Sequence, residues 1–193
     1  NPLIRNVWTF ARLTRTETLD TKQLQSQSLF WRLINIQSHK GDSVGFQVNH
    51  ETEGLEQDFQ IRPGIIIPTG EYTFESYELM LNSTNQRRFS PDFSYEWGEF
   101  YDGTIEQYNL GVDWRPNEHL SFDLSYRLQN IVLPAGDFTV RQISLDANYA
   151  FNARWSWINL IQYVNTTGNL GLNSRLHWAP RAGEDLYFVV NYN

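Results

Sequence analysis

The sequence predicts an all-β fold, an antiparallel up-and-down transmembrane β-barrel, and three observations carry that expectation. Apolar and polar residues alternate over most of the chain. In the stretch HLSFDLSYRL, Leu120, Phe122, Leu124, Tyr126 and Leu128 interleave with Ser121, Asp123, Ser125 and Arg127. Successive side chains leave opposite faces of a pleated strand, so this spacing gives one segment an apolar and a polar face. The connections between such segments alternate between short and long. The chain is also 15% aromatic, with 7 Trp, 10 Tyr and 12 Phe, residues that favour strands and the boundary between apolar and aqueous phases.

Segments of period two bounded by Gly, Pro, Asn and Asp give about eleven strands. In order they lie near 5–15, 27–38, 43–53, 72–82, 87–98, 104–115, 119–130, 138–150, 154–165, 169–179 and 184–192. Alternation is sharpest in the second half. In 104–115, Tyr108, Leu110, Val112 and Trp114 oppose Gln107, Asn109, Gly111 and Asp113. In 169–179, Leu170, Leu172, Leu176 and Trp178 oppose Asn169, Gly171, Asn173, Arg175 and His177, with Ser174 the one small polar residue on the apolar side. The faces of 154–165 stay open, because Trp155, Trp157 and Ile161 have one parity and Ile158, Leu160 and Val164 the other. The last strand reads DLYFVVNYN.

Residues 39–42, 83–86, 116–118, 151–153 and 180–183 are expected to be tight turns, whereas 16–26 and 54–71 are long and 131–137 moderate; 99–103 and 166–168 complete the second set. In a meander, alternate connections share one end of the sheet. Short turns at one rim and longer loops at the other is the habit of outer-membrane barrels, whose short turns face the periplasm. Trp8, Trp114, Trp155, Trp157 and Trp178 fall near the turn end and Trp97 and Tyr101 mark the opposite rim, as membrane-interface aromatics would. On this reading Leu120, Phe122, Leu124, Tyr126 and Leu128 face lipid. Asp113, Asp123, Arg127, Asp146, Arg175 and His177 are then the candidates to line a polar lumen. Lipid leaves no open sheet edge, and single-chain bacterial barrels have an even strand number. Eleven strands are therefore expected to belong to a larger barrel domain, of which residues 1–193 are a fragment lacking sequence at both ends.

Other classes are disfavoured. A net charge of −7 and a pI near 5.0 oppose nucleic-acid binding. Without Cys, there is neither a disulfide framework nor a thiolate metal site. No apolar run approaches a spanning helix. His39, His50, His119 and His177 lack metal-ligand spacing, and nucleophile-elbow, phosphate-loop and dinucleotide motifs are missing. Ser174, His177, Asn173 and Asp185 suggest a hydrolytic triad, but Ser174 and His177 have opposite parity. NST at 82–84 and NTT at 165–167 read as turn polarity. No cofactor, metal or catalysis is expected.

The motifs Gly136-Asp-Phe138, Tyr149-Ala-Phe151, Gln162-Tyr163, Asn173-Ser-Arg175-Leu-His-Trp178 and Gly183-Glu-Asp185-Leu186 closely resemble the C-terminal region of a bacterial outer-membrane family classed as a domain of unknown function. FQIRPGIIIPTGEYTF (59–74) is similar to a connection in the same family. Members carry an N-terminal sandwich like carbohydrate-binding family nine. The resemblance implies a non-enzymatic barrel in the outer membrane of a Gram-negative bacterium, acting as a pore, a translocation component or an anchor for a periplasmic domain. Its implied partners are the lipid bilayer, other subunits of a membrane complex and carbohydrate bound through the absent domain. The competing expectation is a soluble carbohydrate-binding β-sandwich whose Trp residues stack on sugars.

Overall fold

A computed structural model describes residues 3–20, 22–181 and 183–192. The strands are β1 (Ile4–Glu17), β2 (Leu24–Ser38), β3 (Ser43–Leu55), β4 (Phe59–Arg62), β5 (Ile65–Ile67), β6 (Gly70–Asn82) and β7 (Phe89–Phe100), followed by β8 (Gly103–Trp114), β9 (Leu120–Leu133), β10 (Gly136–Asn152), β11 (Trp155–Val164), β12 (Asn169–Arg181) and β13 (Glu184–Tyr192). Eleven of them form one antiparallel sheet in the order β1-β2-β3-β6-β7-β8-β9-β10-β11-β12-β13. This is the expected up-and-down meander, with β1 and β13 at its two edges.

The connections differ from expectation. β1 runs to Glu17 and β2 begins at Leu24, so the first loop shrinks to 18–23, and only 134–135 separate β9 from β10. A ladder is made by the backbone and continues past the apolar stretch: Thr16 pairs with Ser26 and Glu17 with Leu24. One long connection remains, 56–69, and it contains the β4–β5 hairpin, which the sequence reading left as loop. Its strands are too short to show a period, and the turn between them at Pro63-Gly64 needs the positive φ of Gly64, 83°. Thr21 in the first loop and Ala182 in the last turn lie outside the described residues.

Packing divides the chain into two compact units. The first comprises Asn1–Leu81, Ser94–Gln107 and Gln129–Thr139. Its buried apolar cluster is Ile67, Ile105, Ile131 and Leu133, with Leu55, Ile61, Ile65, Tyr72, Phe100, Tyr101 and Phe138 packed around it. Backbones approach closely there: a Cβ on Gly103 would lie 1.9 Å from the Val132 carbonyl oxygen. The second unit comprises Asn82–Phe93, Tyr108–Leu128 and Val140–Asn193. It contains β11 to β13 and the turn ends of β7 to β10.

Candidate functional site

Side chains directly opposite in an antiparallel ladder share a face, and contacts between strands extend that assignment. In the first unit a polar network crosses one face. Arg32 Nε donates to Gln47 Oε1 at 3.2 Å, Gln47 Nε2 to Glu78 Oε2 at 2.7 Å, Asn49 Nδ2 to Ser76 Oγ at 3.2 Å, and Ser76 Oγ to Glu96 Oε1 at 2.8 Å. Gly45 makes room for Asn35, whose Oδ1 lies 2.9 Å from where a Cβ would stand. The other face of the same strands carries Leu29, Trp31, Ile34, Val44, Phe46, Tyr77, Tyr95 and Trp97. Tyr77 and Tyr95 stack on Trp97 at 5.9 and 5.0 Å.

In the second unit the polar face carries five of the six expected lining residues in open surroundings. Arg127 Nε donates to Asn109 Oδ1 at 2.9 Å, and Asp113 accepts from Arg115 at 3.1 Å. Arg175 lies 5.6 Å from the Tyr187 ring. Asp123 lines a groove of about 470 Å³ with Arg127, Asp113 and Asp92. Asp146 lies opposite Leu160. The expected acids and arginines therefore share a face without forming ion pairs with one another among the described residues. Asp92, which the sequence reading missed, sits against Gly111, with its Oδ1 2.2 Å from where a Cβ would be. The signal for it was its parity with Ser90 and Ser94.

The sixth, His177, is more tightly held. Its Nε2 lies 2.6 Å from Asp185 Oδ1, its Nδ1 3.4 Å from Ser156 Oγ, and its ring stacks on Tyr187 at 4.6 Å. The partner serine is thus Ser156, opposite His177 in the β11–β12 ladder, and Ser174 faces the other way, as its parity required. Ser156 lies within a strand paired on both sides, and interior ladder strands commit their backbone N–H groups to their neighbours. Ser156, His177 and Asp185 thus form one hydrogen-bonded polar patch across β11, β12 and β13.

The apolar face of the second unit settles β11. Trp157 lies opposite Tyr149, Ile161 opposite Leu145 and Tyr163 opposite Ile143, whereas Ile158 and Leu160 lie opposite Asn148 and Asp146. Trp155 stacks on Trp178 at 5.2 Å and Trp114 on Phe122 at 5.3 Å. Polar atoms on this face satisfy each other. Ser174 Oγ donates to Asn159 Oδ1 at 2.7 Å and accepts from Trp157 Nε1 at 2.9 Å.

Near the loop end both faces change character. Along the apolar face, Tyr77 is followed by Glu75 and Thr73, Trp97 by Glu99, Tyr108 by Glu106 and Thr104, and Leu128 by Asn130. Along the polar face, the same strands turn apolar at Phe74, Phe100, Ile105, Ile131 and Leu133, and these residues belong to or adjoin the buried cluster. Beyond Tyr77, Trp97 and Tyr108 the two faces thus exchange polarity, with Val132 on the outer face of β9 apolar and exposed.

Two expected interface aromatics are corrected by their surroundings. Trp8 lies opposite Asn35, under the Arg32 guanidinium at 5.7 Å, so it belongs to the polar face. Register shifts at Trp8/Phe10 and Arg32/Ile34 change the parity that counting along the sequence assumes. Tyr101 has a left-handed φ of 52°, which swings its ring into the cluster, where its hydroxyl donates to Glu53. Burial first, and then the Glu53 carboxylate, raise its pKa above the usual phenol value. Trp97, Trp114, Trp155, Trp157 and Trp178 lie on the apolar face.

Compared with protein-family models, curated proteins and solved structures, the chain matches none.

Proposed function

We propose that this chain forms the wall of a bacterial outer-membrane β-barrel, with its apolar face toward lipid and its polar face toward an aqueous interior. The observation that carries this reading is inverted burial on β2 and β3. Asn35 and Gln47 are each 5% exposed, while Trp31 and Val44, on the opposite face of the same strands, are 46% and 47% exposed. Burying a large apolar side chain contributes roughly 1.5–3 kcal/mol. Leaving a dozen of them in water would forfeit more than the roughly 5–15 kcal/mol that separates folded from unfolded chains. In lipid the same surface costs nothing.

The dimensions agree. Leu120 to Leu128 spans eight steps of roughly 3.3 Å, and at the usual tilt that gives roughly 20 Å of height, near the ~25 Å apolar band of such barrels. Aromatic residues bound the band: Tyr77, Trp97 and Tyr108 at one limit, Trp114, Trp155 and Trp178 at the other. The edges β1 and β13 require pairing in lipid, which this reading assigns to further strands of an even-stranded barrel. The likeness to the outer-membrane family stands as part of the proposal, with a conducting, translocating or anchoring role rather than catalysis. Any carbohydrate contact belongs to a sandwich domain outside this stretch.

The soluble sugar-binding sandwich is weaker on the same surface. Its Trp rings would need hydrogen-bonding side chains alongside, whereas Trp155 and Trp178 stack on each other beside Leu176 and Leu186. The test is Trp fluorescence after reconstitution into vesicles of acyl-chain-brominated lipid. The proposal expects strong quenching by the bromines and weak quenching by aqueous acrylamide. A protein that stays in solution without detergent and is quenched only by acrylamide would contradict it.

A further inference from the structure

The connection from β3 to β6 has strands of its own, and its Ile61, Ile65 and Ile67 pack into the first unit while Phe59 and Ile66 are exposed. Ile67 is 2% exposed and packs with Ile105, Ile131 and Leu133. Ile65 approaches Gly136 so closely that a Cβ there would lie 3.4 Å from its Cδ1. The Arg62 guanidinium sits 5.0 Å from the Phe138 ring. Ile105 lies on β8, Ile131 and Leu133 on β9, and Gly136 and Phe138 on β10. Ile105 shares its parity with Gln107, and Ile131 and Leu133 share theirs with Gln129; those two glutamines are hydrogen-bonded across the polar face.

The hairpin therefore leaves β3 and β6, passes β7 and is seated on the polar face of the next three strands. From β6 to β10 is four strand spacings, roughly 19 Å at about 4.8 Å each. Its base is fastened at both ends. Thr69 N–H donates to Asp58 Oδ1 at 2.9 Å, Thr69 Oγ1 to the Leu55 carbonyl at 2.6 Å, and Tyr72 Oη to the Pro68 carbonyl at 2.8 Å.

We infer that the β4–β5 hairpin sets the size of solute that can pass along the polar face, by occupying the loop-end mouth of the barrel. The inference rests on the proposed barrel reading and adds to it the element that determines selectivity. The polar face that carries Arg32, Gln47 and Glu96 gives way, at the loop end, to an apolar patch covered by Ile61, Ile65 and Ile67. A solute must fit beside that cover. The seat is made of side-chain packing, so removing one contact loosens it without cutting a strand.

The test compares swelling rates of vesicles carrying the native protein, a variant with residues 57–68 replaced by a short Gly-Ser turn, and Ile67→Ser, using arabinose and raffinose as probes. Insertion is checked by heat-modifiable gel mobility. Replacing the hairpin is expected to raise raffinose entry at least tenfold and arabinose entry less. Ile67→Ser is expected to raise raffinose entry by a smaller factor and to speed hydrogen exchange over residues 59–67. Inserted variants with raffinose rates within twofold of native would overturn the inference and leave the barrel reading standing, as would impermeability of all three proteins. Failure of the native protein to insert would count against the barrel reading itself, and the inference would fall with it. If the replacement variant does not fold, Ile67→Ser decides by the same two readouts.

Discussion

Ser174 sits between Leu172 and Leu176 on a face otherwise apolar, and its hydroxyl bonds both Asn159 and the Trp157 indole. Without it the Trp157 indole N–H and Asn159 Oδ1 lose this partner, although Asn159 Nδ2 keeps its bond to the Ala147 carbonyl, and the lipid of the proposed reading offers no replacement. Ser174→Ala is therefore expected to destabilise the folded protein by about 1–3 kcal/mol, measured by urea unfolding in lipid vesicles. On β9 the two faces can be compared one residue apart. Leu124→Arg puts a charge at mid-depth on the apolar face, at a cost of roughly 2–4 kcal/mol, whereas Asp123→Asn alters a groove already open to water. Folding yields in vesicles should drop for the first and hold for the second; equal yields would reverse the face assignment. The parity of Asp123 and Leu124 was legible because β9 alternates without interruption. The direction of Trp8 was not, because a register shift beside it breaks the count, nor was that of Tyr101, whose left-handed φ is a property of the turn.

At the scale of elements, β9 carries the exchange of polarity between the two faces within one strand. Its polar face runs Ser121, Asp123, Ser125, Arg127, Gln129 and then turns to Ile131 and Leu133, while its apolar face ends at Leu128 and turns to Asn130. The run QNIVL holds this exchange in plain sight, yet period-two reading treats it as the strand fading out. For the same reason β1, β2 and β10 extend beyond their apolar stretches. The exchange also explains why Gly103 lies where it does. The polar face is now a dry core, and the β8 backbone presses against the Val132 carbonyl. Gly103→Ala is expected to cost about 1–3 kcal/mol through overpacking, while Thr104→Ala, on the exposed side of the same strand, leaves the unfolding midpoint unchanged. β4 and β5 escaped the sequence reading because FQIR and III are too short to display a period, and a run of three isoleucines between turn residues fits either loop or strand.

For the molecule as a whole, the meander of eleven strands was readable because each neighbour in the sheet is a neighbour in the sequence. No long-range pairing had to be inferred. β11 was ambiguous alone, and only its neighbours on both sides fixed it. What the sequence left open was the medium, since alternation is the same whether the apolar face meets a core or lipid; the proposed lipid-facing assignment rests on β2 and β3, where the polar face is covered and the apolar face bare. The most direct test uses the absence of cysteine. Single cysteines from Leu120 to Asn130, each carrying a nitroxide, would be reconstituted in vesicles and read for collision with dissolved oxygen, which concentrates in lipid, and with a water-soluble nickel chelate. The account predicts period-two oscillation with the two reagents out of phase: oxygen high at 120, 122, 124, 126 and 128, nickel high at 121, 123, 125 and 127, and oxygen access falling at 130. In-phase oscillation, or nickel access at every position, would contradict it.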